Sequence, residues 1–261
     1  MKKTTKSLIY SAWSIVLIVT IAFVGIKYYN KQKTNTKMAV TPKNLEQQVV
    51  KGWYTSRSDF GKLLLDSLLK NNRYAVVTIG TSDCLLCHEL GKVSIDKKLN
   101  ASRVTLDYKF SDHNLLLSQA LFPPGFPTTY IIDREYNIIG AVRGLDEFKK
   151  NTEAIISKRT KSTPLHIAGD VSKSNELLVL SDALKSTVAK LEGNYEKMHA
   201  FARKSLSNGS YFYNNYLLYD YFTKMGVKDS SSFYKKRTLK YTYRINSHIY
   251  HSLIEELSSS N

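Results

Sequence analysis

Between residues 60 and 160 the spacing of hydrophobic positions changes period several times, and each change marks an element. Phe60, Leu63, Leu64 and Leu68 recur at helical spacing behind Ser56-Arg57-Ser58-Asp59, which offers capping side chains. Tyr74 to Gly80 is an apolar, β-branched run of strand length, and Leu85 to Leu99 reads as a helix. Arg103 to Tyr108 alternates apolar with polar like a half-buried strand. Asn114 to Phe122 makes a short helix that Pro123-Pro124-Gly125 ends. One strand follows Pro127 and another covers Asn137 to Val142. Arg134-Glu135-Tyr136 separates them, which suits an antiparallel hairpin. Gly144 then precedes a helix over Leu145 to Lys158.

After a loop-like stretch with Pro164 and Gly169 the pattern turns helical to the end of the chain. Leu177, Leu180, Leu184, Val188 and Leu191 recur at three and four residues, and Gly193 stops that helix. Tyr241, Ile245, Ile249, Leu253 and Leu257 stripe a last one. Ten tyrosines lie from Tyr195 to Tyr250; they are expected to pack the helical core with their hydroxyls at its rim.

The formal charge of +16 suggests a polyanion partner until it is divided along the chain. Residues 1 to 43 hold eight lysines and no acid, so half of the excess surrounds one hydrophobic segment, Leu8 to Ile26. Those 19 uncharged residues would reach roughly 28 Å as a helix, about one hydrocarbon core. The expectation is an uncleaved membrane anchor with flanking charge and no nucleic-acid partner. Asn30 to Pro42 is polar and patternless, as a tether would be.

The only two cysteines, Cys84 and Cys87, are spaced C-x-x-C at the predicted strand-to-helix turn. There, unpaired backbone N–H groups favour the thiolate, the reactive form of cysteine. Cys87, one turn on, is placed to close a small disulfide and expel a bound partner. His88, four residues past Cys84, is a candidate for favouring its thiolate, or else an exposed surface histidine. Asp83 would oppose ionisation. Covalent haem attachment also fits Cys84-Leu85-Leu86-Cys87-His88 literally. Structural zinc lacks a second cysteine pair, and an inert structural disulfide remains open. His248 and His251, with Glu255, have metal-like spacing that more often marks a solvated stripe.

A second stretch, Gly125-Phe126-Pro127-Thr128-Thr129-Tyr130-Ile131-Ile132-Asp133, joins with the cysteine pair to resemble the thioredoxin superfamily. The resemblance covers roughly Ser56 to Thr160 and implies a cis proline at Pro127. It also implies that Phe126, Pro127 and Thr128 form a substrate-binding loop facing the cysteines. Cys84 would then attack and Cys87 resolve, with their redox-active disulfide and no other cofactor. The chain departs from many family members in having Asp83 before the first cysteine, Leu85-Leu86 between the two, and Thr78 where a buried carboxylate often stands. Gly193 to Gly226, 33 residues apart, looks like a tetratricopeptide helix pair.

The fold class expected is thus an α/β thioredoxin-like domain followed by an all-α, tetratricopeptide-like domain, with an N-terminal transmembrane helix. The divisions are 1–29 for cytoplasmic tail and anchor, 30–50 for tether, 51–160 for the thioredoxin-like domain and 161–261 for the helical domain. The function expected is a membrane-anchored, extracytoplasmic thiol–disulfide oxidoreductase acting on exported cysteine-containing proteins or peptides, with a redox partner protein. The alternative is a membrane-tethered binding protein, non-catalytic or haem-carrying, whose helical domain recruits a partner.

Overall fold

The β-branched run Tyr74–Gly80 forms β1, a strand buried along its whole length. In the computed structural model, which describes residues 61–259 except Ser82, Phe110, Ser111, Lys161 and Asn246, β1 is a central strand of a mixed sheet. The strand order is β2-β1-β3-β4, with β2 over Ala101–Asp107, β3 over Thr128–Asp133 and β4 over Ile138–Arg143. β2 runs parallel to β1, while β3 is antiparallel to both β1 and β4. The hairpin turn closes where the spacing predicts, with the Asp133 N–H donating to the Asn137 carbonyl.

Helices α1 (Gly61–Lys70), α2 (Leu85–Gly91), α3 (Asp112–Leu121) and α4 (Gly144–Ile156) intervene in the predicted order. On one face of the sheet Val76, Ile131 and Val142 pack with Leu90 of α2 and with Phe148 and Ile155 of α4. Gly140 makes this packing possible, because a Cβ there would lie 2.5 Å from Ile155 Cγ2. The expected long helix from Leu85 to Leu99 stops at Gly91, and a separate 3₁₀ turn covers Lys97–Leu99. Asp96 explains the break: its carboxylate accepts from the Lys98 N–H and starts the new turn.

The C-terminal part contains α5 (Glu176–Leu191), α6 (Tyr195–Asn208), α7 (Phe212–Lys224), α8 (Lys228–Leu239) and α9 (Ser247–Ser259). It is not all-α, which corrects the expected fold class. Gly169–Val171 (β5) and Gly209–Tyr211 (β6) pair as a two-stranded antiparallel sheet. Glycine is what allows the approach, since a Cβ on Gly169 would fall 2.3 Å from the Ser210 carbonyl oxygen. β6 stands between α6 and α7, the two helices of the expected tetratricopeptide-like pair. The last stripe does not begin at Tyr241 either: Thr242–Arg244 is a 3₁₀ turn, and Tyr241 is buried with its hydroxyl on Asp170 at 2.7 Å.

The membrane expectation is corrected as well. Among the described residues no helix is long and apolar enough to cross a membrane. Leu8 to Ile26, on which the expected anchor, tether and extracytoplasmic placement depended, lies outside the described residues. The mixed sheet and the C-terminal helices belong to one compact unit, residues 45–261. Ser181 of α5 accepts the Ile138 N–H at 2.8 Å, the Gln119 side-chain amide of α3 donates to the Ile249 carbonyl at 2.9 Å, and the Tyr250 hydroxyl of α9 donates to the Gln119 carbonyl at 2.6 Å.

Most of the C-terminal tyrosines pack the core, but not every hydroxyl stays at its rim, and Tyr243 lies exposed. Tyr211, Tyr213 and Tyr250 are fully buried, as is Tyr130 of β3, and burial pushes all four hydroxyls above their usual range. The Tyr213 and Tyr250 hydroxyls find partners, whereas that of Tyr130 has none among the described residues.

Candidate functional site

Register brings three loops to one end of the sheet. β1 and β2 are parallel and end together at Gly80 opposite Asp107, while Ile79 lies opposite Thr128 at the start of antiparallel β3. The segment after β1 carries Thr81, Asp83 and Cys84. The segment after β2 carries Tyr108 and Lys109, and the segment before β3 carries Gly125, Phe126 and Pro127. All three therefore leave the sheet on the same side.

Cys84 and Cys87 are joined as a disulfide with their Cα atoms 5.2 Å apart. Cys84 is the residue before α2 and accepts the Cys87 N–H at its sulfur, 3.2 Å away. Its own N–H donates to the Thr81 carbonyl at 3.1 Å, and its carbonyl accepts from the Cys87 and His88 N–H groups. Cys84 is half-buried, whereas Cys87 is completely buried. The asymmetry follows from α2: Cys87 and Leu90 are its buried positions, one turn apart on the face turned to the sheet. Leu85 and Leu86 occupy the other face and are 81% and 53% exposed, large apolar groups left in water beside the disulfide.

Beneath α2, Thr78 and Thr129 are both buried and share a hydrogen bond 2.8 Å long between their hydroxyls. Thr78 is thus a neutral hydroxyl with a hydroxyl partner beneath the cysteine helix.

The Phe126–Pro127 peptide is cis, in agreement with the expectation for that loop. The Pro127 carbonyl accepts from the Gly144 N–H at 3.0 Å, and the Thr128 hydroxyl donates to the Gly125 carbonyl at 2.6 Å. Pro127 and Thr128 are buried, so Phe126 is the one side chain of the three that reaches the surface. Its ring stacks on Tyr108, with centroids 5.4 Å apart.

Lys109 extends this contact to the cysteine loop. Its ammonium lies 3.5 Å from the Asp83 carboxylate and 6.0 Å from the Tyr108 ring centroid. A hydrogen bond from Thr81, one to its own backbone and the nearby Lys109 together hold the Asp83 carboxyl below its usual range. Asp83 is therefore anionic beside Cys84, but a cation opposes it. Burial raises the Tyr108 hydroxyl, with Asp107 and Asp83 adding to the effect.

Tyr108 and Lys109 were not legible as site residues in the sequence. Their one signal is position: they follow a predicted strand, and only the parallel register of β1 and β2 carries them to the cysteines. His88 is exposed on α2. Far along the chain His251 pairs with Glu255 at 3.1 Å on an exposed face of α9, and no cluster of three or more metal-binding side chains occurs among the described residues.

Compared with protein-family models, with curated proteins and with solved structures, the chain matches none.

Proposed function

We propose that the chain is a thiol–disulfide oxidoreductase of the kind found in the thioredoxin superfamily, acting through Cys84 and Cys87 on cysteine-containing proteins or peptides. The observation that carries this reading is the unequal access of two sulfurs in one disulfide: Cys84 reaches solvent and Cys87 is sealed. An inert staple has no need of the difference. A catalyst does, because one sulfur must meet a substrate while the other waits for it.

In the reducing direction the Cys84 thiolate attacks one sulfur of a substrate disulfide. A bond forms between Cys84 and that sulfur, and the substrate's second sulfur leaves as a thiolate. The Cys87 thiol gives up its proton to water and attacks Cys84 Sγ. The intramolecular disulfide forms, and the substrate's remaining sulfur departs as a thiolate. The oxidising direction reverses each step. The Cys87 N–H supports the Cys84 thiolate by donating to it. Phe126, with Pro127 behind it and Tyr108 stacked against it, receives the substrate chain beside Cys84.

Cys87→Ser is the deciding variant. It should accumulate mixed disulfides through Cys84 that are visible as high-mass bands on non-reducing gels and collapse with dithiothreitol. Cys84→Ser should accumulate none. Equal trapping by both variants, or by neither, would refute the assignment.

A further inference from the structure

We infer that Arg103 is a positioning residue for the exchange reaction, a clamp that holds the cysteine helix on the sheet and keeps Cys87 out of reach of outside disulfides. It rests on the exchange chemistry proposed above, and within that chemistry it decides which sulfur meets a substrate. Arg103 stands opposite Val76 in the parallel register, and Val76 packs with Leu90 on the face that α2 covers. Its guanidinium donates to the Leu90 carbonyl at 2.7 Å and to the Val93 carbonyl, at and just past the C-terminal end of α2. The same group lies 4.5 Å from the Phe148 ring centroid, so α4 backs it. Partial burial lowers Arg103 to about 10, which leaves it a cation at neutral pH.

Helix α2 has only seven residues, too few to hold a helix without tertiary support. The turn at Cys84, whose N–H donates to the Thr81 carbonyl, secures one end. The two bonds from Arg103 secure the other, and a planar fork holds two carbonyls at once better than a flexible ammonium would. Leu90 and Cys87 lie one turn apart on the same face, and neither has any exposed surface. The depth at which Arg103 fixes Leu90 is therefore also the depth of Cys87. Thiol–disulfide exchange is attack by one sulfur on another and depends on access. Held at this depth, Cys87 reaches Cys84 Sγ, to which it is bonded here, but not a disulfide from outside.

In the full chain, Cys84→Ser leaves Cys87 as the one thiol, and its reaction with dithiobis(nitrobenzoate) reads the clamp. The Cys87 thiolate attacks the reagent, a mixed disulfide forms and coloured thionitrobenzoate leaves. Arg103→Met keeps the apolar stem but no donor, and it should speed this reaction by about tenfold, because access limits the rate. Arg103→Lys, with a single ammonium in place of the fork, should speed it by about threefold. In Cys87→Ser, where Cys84 is the thiol, Arg103→Met should change the rate by less than about twofold. Tyr250→Phe removes a buried bond between α9 and α3 and, although less stable in urea, should leave the Cys87 rate unchanged. Unaltered Cys87 rates in folded Arg103 variants overturn the proposal, as does equal acceleration by Tyr250→Phe, which would mean general loosening. If Arg103→Met does not fold, Arg103→Lys decides by the same criterion. None of these rates needs a protein substrate, so silent trapping by Cys87→Ser would remove the exchange reading and leave the clamp standing.

Discussion

Asp83 and Lys109 set the charge that Cys84 sees. Both are exposed, so their influence is screened. Removing the anion next to the sulfur favours the thiolate, and removing the cation that offsets it has the opposite sign. The midpoint of iodoacetamide alkylation of the reduced protein against pH should therefore move down in Asp83→Asn and up in Lys109→Ala, each by up to about half a unit. Shifts in the same direction would mean that the ion pair at 3.5 Å does not act on Cys84. At this scale the cysteines, Phe126 and Pro127 were readable because each belongs to a short motif. Tyr108 and Lys109 belong to none and join the site through pairing of strands 27 residues apart, as Gly80 with Asp107.

At the scale of elements, the contact of β4 with α4 is the most demanding one near the site. Gly140 lies against Ile155, which is buried and packed within the cluster holding Leu90 of α2. Gly140→Ala should destabilise the protein by about 1–3 kcal/mol, measured by urea denaturation, because the added methyl has no room. Truncating Ile155 to alanine in that background should restore part of the loss, so that the double variant is less destabilised than the two single effects summed. The strands of the main sheet were legible because long β-branched or alternating runs leave few other structures open to them. β5 and β6, three residues each, carry no period at all, and their pairing rests on the close approach that Gly169 permits. The break after Gly91 escaped notice for a related reason: Val93, Ile95 and Leu99 keep an apolar spacing compatible with a helix, while a capping aspartate redirects the backbone.

Across the whole molecule, the sheet that carries the cysteines and the helices that follow it share one interior. Phe122 meets Tyr211 edge-on at 5.5 Å and Tyr250 at 5.7 Å, and Gln119 is bonded to α9 through both its side chain and its carbonyl. A fragment ending at Thr160 would expose this apolar and polar surface together. It should show no cooperative thermal transition, whereas residues 45–261 should unfold in one step with coincident near- and far-ultraviolet dichroism. Two resolved transitions in the longer chain would contradict the shared core. The sequence could not reveal this union, since a helical period tells which side of a helix is apolar but not what covers it.

The hydrogen bond between Tyr250 and the Gln119 carbonyl joins residues 131 positions apart, so a growing chain can make this contact only after that many further residues have been added. The cysteine-bearing strand and helix therefore leave the ribosome long before α9 arrives to finish this interior. Until then both thiols belong to a protein whose interior is incomplete.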